Sequence, residues 1–298
     1  MITEETKHIY AGLLLSALVC MLIFGGSATA VYVMHKHANK PTVAHPTFPG
    51  VFSINPDSLT AHAALLYDPT NGEILFAKNA STSLPLASIT KLMTAEVVLS
   101  NGAVDNKMHR ITIEDIAPEG DSGLRPGDVF SVVDLLKLGL VASSNDAMAA
   151  AAASIGTDPV ALMNQEAHVL SLFQTRFFNT TGLDVDTETS GAYSSAYDVA
   201  RLAAYFYRTY PHYFELTTKP SVSVKTDGRT ISAVATDAPL LSIPQLVGAK
   251  TGYTDLAGGN LVAIFDVEIG HPLVAVVLDS TENGRFVDMR TLIDAAVR

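Results

Sequence analysis

Whatever fold this chain adopts has to bring together three short motifs that lie far apart along it. They are Ser88-Ile89-Thr90-Lys91, Ser143-Ser144-Asn145 and Lys250-Thr251-Gly252. Each alone has a bland reading: a capped helix with a surface lysine, a Ser-Asn helix cap, a strand-end lysine before a glycine turn. Together, in this order, they supply the parts of a nucleophilic site. Serine is a poor nucleophile at neutral pH and needs a nearby base. Three residues apart on a helix, Ser88 and Lys91 share a face. Ser88 is expected in the first turn, where unpaired backbone N–H groups and the helix dipole favour a developing oxyanion. Lys91 lies among Ile89, Leu92 and Met93, where desolvation disfavours the ammonium and prepares the amine to accept a proton. Ser143, in a short turn between helices, can point at the nucleophile while the same turn caps a helix. Asn145 has both a donor and an acceptor for an amide. Lys250 and Thr251 offer a cation and a hydroxyl to a carboxylate, and Gly252 leaves a strand edge open to an extended peptide.

Composition narrows the alternatives. The chain has 298 residues, 48% hydrophobic, with a net charge of -11, enough to bury a sizeable core. An acidic chain without a basic stripe argues against nucleic acid as a partner. Cys20 is the single cysteine, so no intrachain disulfide can form. The nine histidines show no tight ligand spacing, and neither a metal nor a cofactor is expected.

Residues 9–34 carry no charge, and 11–24 are almost purely apolar. At about 1.5 Å per residue, a helix over that run exceeds the roughly 30 Å hydrocarbon core. Residues 1–34 are therefore expected to be an N-terminal membrane anchor or, through Ala28-Thr29-Ala30, a cleaved signal peptide. The long apolar run and the poorly basic start favour the anchor. Residues 35–60, with Pro41, Pro46, Pro49 and Pro56, read as an extended linker, and residues 61–298 as the catalytic domain.

Within that domain, residues 61–68 and 73–78 form a predicted hairpin with Asn71-Gly72 in its turn. Helices are expected over 88–100, 131–140, 145–155, 159–172, 195–207 and 284–297, and β-type runs over 221–225, 230–235, 247–251, 260–267 and 273–278. Strands at both ends with helices between predict an α/β (α+β type) fold: one central antiparallel sheet flanked by helices, with an inserted helical subdomain.

The run from Leu86 through Ala95 closely resembles the active-site segment of serine D-alanyl-D-alanine carboxypeptidases, the low-molecular-mass penicillin-binding proteins. Gly248 through Thr254 with Ala257-Gly258 resembles the same family, as do Ser143–Ala149, the Phe178-Asn179-Thr180-Thr181-Gly182-Leu183 run and Arg285. The likeness spans roughly residues 60–298. It implies a β-lactamase/transpeptidase-like fold, an acyl-enzyme mechanism on peptidoglycan stem peptides, and covalent inhibition by β-lactam antibiotics. Residue by residue it implies Ser88 as nucleophile, Lys91 as base and Ser143 as proton relay. Asn145 then binds the substrate amide, Lys250 and Thr251 hold the terminal carboxylate, and the backbone N–H groups of Ser88 and Tyr253 form the oxyanion hole.

Two features depart from the family. Ser144 stands where glycine is usual. Many members also continue into a C-terminal β-domain and a membrane helix, whereas this chain ends at Arg298; attachment to the extracytoplasmic face of the cell membrane is then expected of the N-terminus. Two other functions compete. A class A β-lactamase needs a loop glutamate for deacylation, and Glu166 falls in a helical pattern. A catalytically silent, membrane-tethered peptidoglycan-binding module draws support only from Ser144.

Overall fold

The computed structural model describes residues 54–297 apart from 102–103, 118–122, 227 and 244. The anchor or signal expected over 1–34, and the linker up to residue 53, lie outside the described residues. Among the described residues no helix is long and apolar enough to cross a membrane.

The chain opens on a hairpin, β1 (Ala63–Asp68) and β2 (Glu73–Lys78). Its turn closes as the Asn71-Gly72 signal predicts: Gly72 takes a φ of +81° and the Asn71 side chain accepts from Glu73 N. After β3 (Leu84–Pro85), a 3-10 turn over Ala87–Thr90 runs directly into α1 (Lys91–Asn101). The nucleophile candidate thus sits in a tighter turn than the single α-helix expected from residue 88. A small ladder of β4 (Met108–Arg110) and β5 (Val129–Ser131) leads to α2 (Val132–Val141), α3 (Asn145–Ala153) and α4 (Pro159–Val169). Their starts are written locally: the side chains of Ser131, Ser144 and Asp158 accept from the first-turn backbone N–H groups. Then come β6 (Arg176–Phe177), β7 (Ala192–Ser194), α5 (Ala196–Thr209), a short α6 (Pro211–Glu215), β8 (Ser221–Thr226) and β9 (Arg229–Val234). The last elements are β10 (Leu246–Thr254), β11 (Gly258–Glu268), β12 (His271–Ser280) and α7 (Gly284–Ala296).

Five strands form the central antiparallel sheet in the order β10-β11-β12-β1-β2. The first two strands of the domain therefore share a sheet with the last three, and everything between is an insertion, as the sequence predicts. The exception is β8–β9, which pairs only with itself. Its apolar residues alternate, with Val222, Val224 and Ile231 buried, so it has one face to cover and packs that face on α2. By contrast β11 and β12 are buried on both faces. Val262, Ile264, Val274 and Val276 join the main core on one side. Leu261, Ala263, Ala275 and Val277 are equally buried on the other, where α7 packs. Asp288 on α7 fixes that packing: its carboxylate accepts from Thr60 N, Ala61 N and Ser280 Oγ at 2.7–3.0 Å.

Candidate active site

Helix α1 is buried on all sides over its first two turns, from Lys91 to Val98, and is packed by α3, α4, α2 and α5. It carries Lys91 into the interior. The Lys91 ammonium nitrogen lies 2.6 Å from Ser88 Oγ, 2.6 Å from Asn145 Oδ1 and 3.0 Å from the Thr181 carbonyl. One residue of the second motif is thus tied to the first, across the α1–α3 packing. The other is tied to the third: Lys250 Nζ donates to Ser143 Oγ at 2.8 Å. The result is a continuous chain, Ser88–Lys91–Asn145 on one side and Ser143–Lys250 on the other, joined through the turn between α2 and α3. Once its amine is neutral, a lysine 2.6 Å from a serine hydroxyl can take that proton as the oxygen attacks a carbonyl.

Ser144 resolves the departure at the second motif. It is 3% exposed and its hydroxyl accepts from Ala147 N at 3.0 Å, capping α3. Ser143 before it takes a φ of +59°, a left-handed conformation that costs a non-glycine residue about 1–3 kcal/mol. Ala87, before Ser88, does the same at +50°. Both strained residues immediately flank or carry a motif hydroxyl, and the surrounding packing holds them there.

Strand β10 is the edge of the central sheet and packs along the Ala87–Thr90 turn. Lys250 and Thr251 are 1% and 3% exposed, while Tyr253 stands half in solvent. The Thr251 hydroxyl donates to Thr236 Oγ1 at 2.6 Å. Gly252 meets a constraint the sequence did not reveal. A Cβ there would lie 2.8 Å from the Leu86 carbonyl and 3.1 Å from Ser88 N, so the glycine first of all lets β10 approach the turn that carries Ser88. Arg285 on α7 donates to the Gly252 carbonyl at 2.7 Å and fixes the strand from its other side. Burial pushes the Lys250 ammonium down to about 7; Asp237 opposes that shift and Arg285 adds to it.

The loop over 179–183 contributes more than its sequence announced. The Asn179 side chain accepts from Gly182 N at 2.7 Å and donates to the Leu183 carbonyl at 2.8 Å. That tight turn aims the Thr181 carbonyl at Lys91. Gly182, at a φ of +83°, lies so close to the Ala87 carbonyl that a Cβ would overlap it at 1.9 Å. The Asn-x-x-Gly spacing was the available signal. Asp237 gave no motif signal at all. Glu166 lies on α4, and its charge acts on Glu96, Tyr205 and Tyr210.

The fold defines a class. Penicillin-Binding Protein D2 from Listeria monocytogenes, solved in its ampicillin-bound form, is 32% identical over 80% of this chain and 98% of that one, with a TM-score of 0.67. The chain has the mixed fold of penicillin-binding DD-peptidases, an antiparallel sheet with helices on both faces. The profile of the peptidase S11 family, D-alanyl-D-alanine carboxypeptidase, matches residues 51–282, and the chain belongs to that family. Among its relatives, D-alanyl-D-alanine carboxypeptidase DacD of Salmonella typhimurium is 33% identical over 81% of this chain and 64% of its own length. A D-alanyl-D-alanine endopeptidase of Pseudomonas aeruginosa is 32% identical over 74% of this chain and 72% of its own. The chain thus spans 64% of the length of the DacD relative.

Proposed function

We propose that this protein is a serine carboxypeptidase that removes the terminal D-alanine from peptidoglycan stem peptides through an acyl-enzyme. The observation that carries the reading is the Lys91 amine 2.6 Å from the Ser88 hydroxyl, in a site joined to Asn145, Ser143 and Lys250. Lys91 takes the proton of Ser88 Oγ as that oxygen attacks the penultimate D-alanyl carbonyl. The N–H groups of Ser88 and Tyr253 hold the oxyanion, and Asn145 holds the substrate amide. Ser143, hydrogen-bonded to Lys250, passes a proton to the leaving amine of D-alanine. Water then releases the acyl group. Lys250 and Thr251 pair with the free α-carboxylate, the group that defines an exopeptidase substrate. A β-lactam enters the same reaction and stays attached to Ser88. The uncharged run over residues 9–34 supports delivery of the domain to the extracytoplasmic side of the membrane, as an anchor or a signal.

The test is D-alanine release from a pentapeptide with a free C-terminus, with fluorescent penicillin as a second readout. The wild type should release D-alanine and take the label, and Ser88→Ala should do neither while keeping the wild-type circular dichroism spectrum. Labelling of the alanine variant removes Ser88 from the role. A wild type that takes no label and releases no D-alanine is a silent binding module; one that turns penicillin over is a β-lactamase. Cleavage of a cross-linked dimer in preference to the pentapeptide makes it an endopeptidase instead.

A further inference from the structure

Asp237 lies in the segment that leads from β9 to β10. It is 2% exposed, and apart from its own backbone N–H neither of its carboxylate oxygens meets a hydrogen-bond donor among the described residues. The segment is not a free loop. Ala235 N bonds the Pro220 carbonyl, Thr236 N bonds the Val141 carbonyl at the end of α2, and Thr236 Oγ1 accepts from Thr251 on β10. A 3-10 turn over Ala238–Leu240, closed by Leu240 N onto the Asp237 carbonyl, follows with Leu240 fully buried. Thr236 thus ties the end of the helix that leads to Ser143 to the strand that carries Lys250; burial raises the neighbouring Asp237 carboxyl to about 6, the Lys250 charge opposes that rise, and the Asp237 charge acts on Lys250 in turn.

A buried carboxylate without hydrogen bonds is costly and needs a counter-charge. The cation it acts on, Lys250, is equally buried, at 1% exposure. Among the described residues Lys250 donates to two neutral oxygens, Ser143 Oγ and the carbonyl of its neighbour Thr251. The charged groups that act on it are Asp237 and Arg285. Its register partner on β11 is Val262, and the turns over Ala87–Thr90 and Leu216–Thr218 that pack on β10 carry no charge. On α6, His212 and Glu215 are exposed. With Lys91 neutral, as its role as base requires, these two cations and one anion leave a single positive charge, which matches the single α-carboxylate of a peptide end.

We propose that Asp237 is a positioning residue for substrate recognition: its buried carboxylate keeps Lys250 an ammonium, so that the empty cleft already holds the cation that reads the substrate's terminal carboxylate. The inference rests on the reading of Lys250 under Proposed function. Without Asp237, burial and Arg285 both act to strip the Lys250 proton, and a neutral amine forms no charge-assisted pair. Once substrate is bound, its own carboxylate takes over Asp237's part. The effect therefore belongs to the free enzyme, which kcat/KM reports, more than to the complex, which kcat reports.

The experiment is the pH profile of D-alanine release from a free-carboxyl pentapeptide, for wild type, Asp237→Asn and Asp237→Glu. In the Asn variant the alkaline limb of kcat/KM should move to lower pH by roughly one unit, about a tenfold loss above the limb. The kcat limb should move less, the acidic limb should stay, and Asp237→Glu should restore the wild-type profile. A folded Asn variant whose kcat/KM profile superimposes on the wild type overturns the proposal, as does an equal loss at every pH. If the Asn variant does not fold, the wild type decides by NMR of 13C-labelled lysine and aspartate. An Asp237 carboxyl that loses its proton at lower pH than Lys250 supports the ion pair; one that stays protonated until Lys250 is neutral refutes it. A wild type that neither releases D-alanine nor takes penicillin defeats the Proposed function, whereas an active wild type with an indifferent Asn variant defeats only this inference.

Discussion

Lys91 is held to one position by three oxygens, Ser88 Oγ, Asn145 Oδ1 and the Thr181 carbonyl. In the proposed mechanism the amine must lose a proton to serve as base, and this separates lysine from arginine. Lys91→Arg keeps the cation and has donors for the same oxygens, but a guanidinium stays protonated at any working pH. Removing a positioned base typically costs about 10²–10⁴-fold in rate, so the arginine variant should lose that much in the second-order rate of acylation by penicillin, measured by stopped-flow or timed labelling. Acylation within a few-fold of wild type transfers the role of base elsewhere. The chemistry at this scale was legible in the sequence, because Ser88 and Lys91 belong to one stretch of helix and their proximity follows from its geometry. The third oxygen on Lys91 was not legible, because a backbone carbonyl carries no residue signature and Thr181 reaches the amine only through the Asn179–Gly182 turn.

At the scale of elements, the site depends on how closely β10 and the Ala87–Thr90 turn approach each other. Glycines face backbone around that turn: Gly252 of β10 against the Leu86 carbonyl and Ser88 N, and Gly182 of the 179–183 loop against the Ala87 carbonyl. A methyl at Gly252 must push strand and turn apart, and misplacement of about 1 Å can cost on the order of 10²-fold in rate. Gly252→Ala should therefore lower penicillin acylation by roughly 10- to 100-fold while the thermal midpoint falls by only a few degrees, since the rest of the sheet keeps its register. Unchanged acylation shows that the strand and turn tolerate the displacement. The sequence marked this glycine correctly as special but for another reason, an open edge for substrate. The edge position is real. The steric demand comes from a contact between segments far apart in the chain, which no local pattern encodes.

At the scale of the whole molecule, the buried acid raised furthest, Glu96, couples stability to pH. Glu96 on α1 is 1% exposed, and burial, reinforced by the neighbouring Glu166 charge and opposed by a hydrogen bond with Ser100, raises its carboxyl to about 7. A folded-state value above the unfolded one means that its stabilising contribution is complete below the unfolded value near 4.5 and is lost as the pH rises through about 7. At pH 8 the ionised form should cost about 2–3 kcal/mol. Glu96→Gln should then raise the thermal midpoint by roughly 5 °C or more at pH 8 and change it little at pH 4.5. The same shift at both pH values would show that ionisation is not the cause. The sequence by itself determined the chemical groups of the site and their order. It also determined the Asn71-Gly72 hairpin, the caps that start α2 and α3, and the apolar runs that became the central sheet. All of these are set by interactions within a few residues or by a simple periodicity. The tertiary structure alone decided that β8 and β9 stand apart from the main sheet and that Gly252 borders Ser88. It also buried Asp237 where its charge acts on Lys250. Those outcomes depend on which segments the long-range pairing of β1 with β12 and of β10 with β11 brings together, and a one-dimensional pattern holds no record of such neighbours.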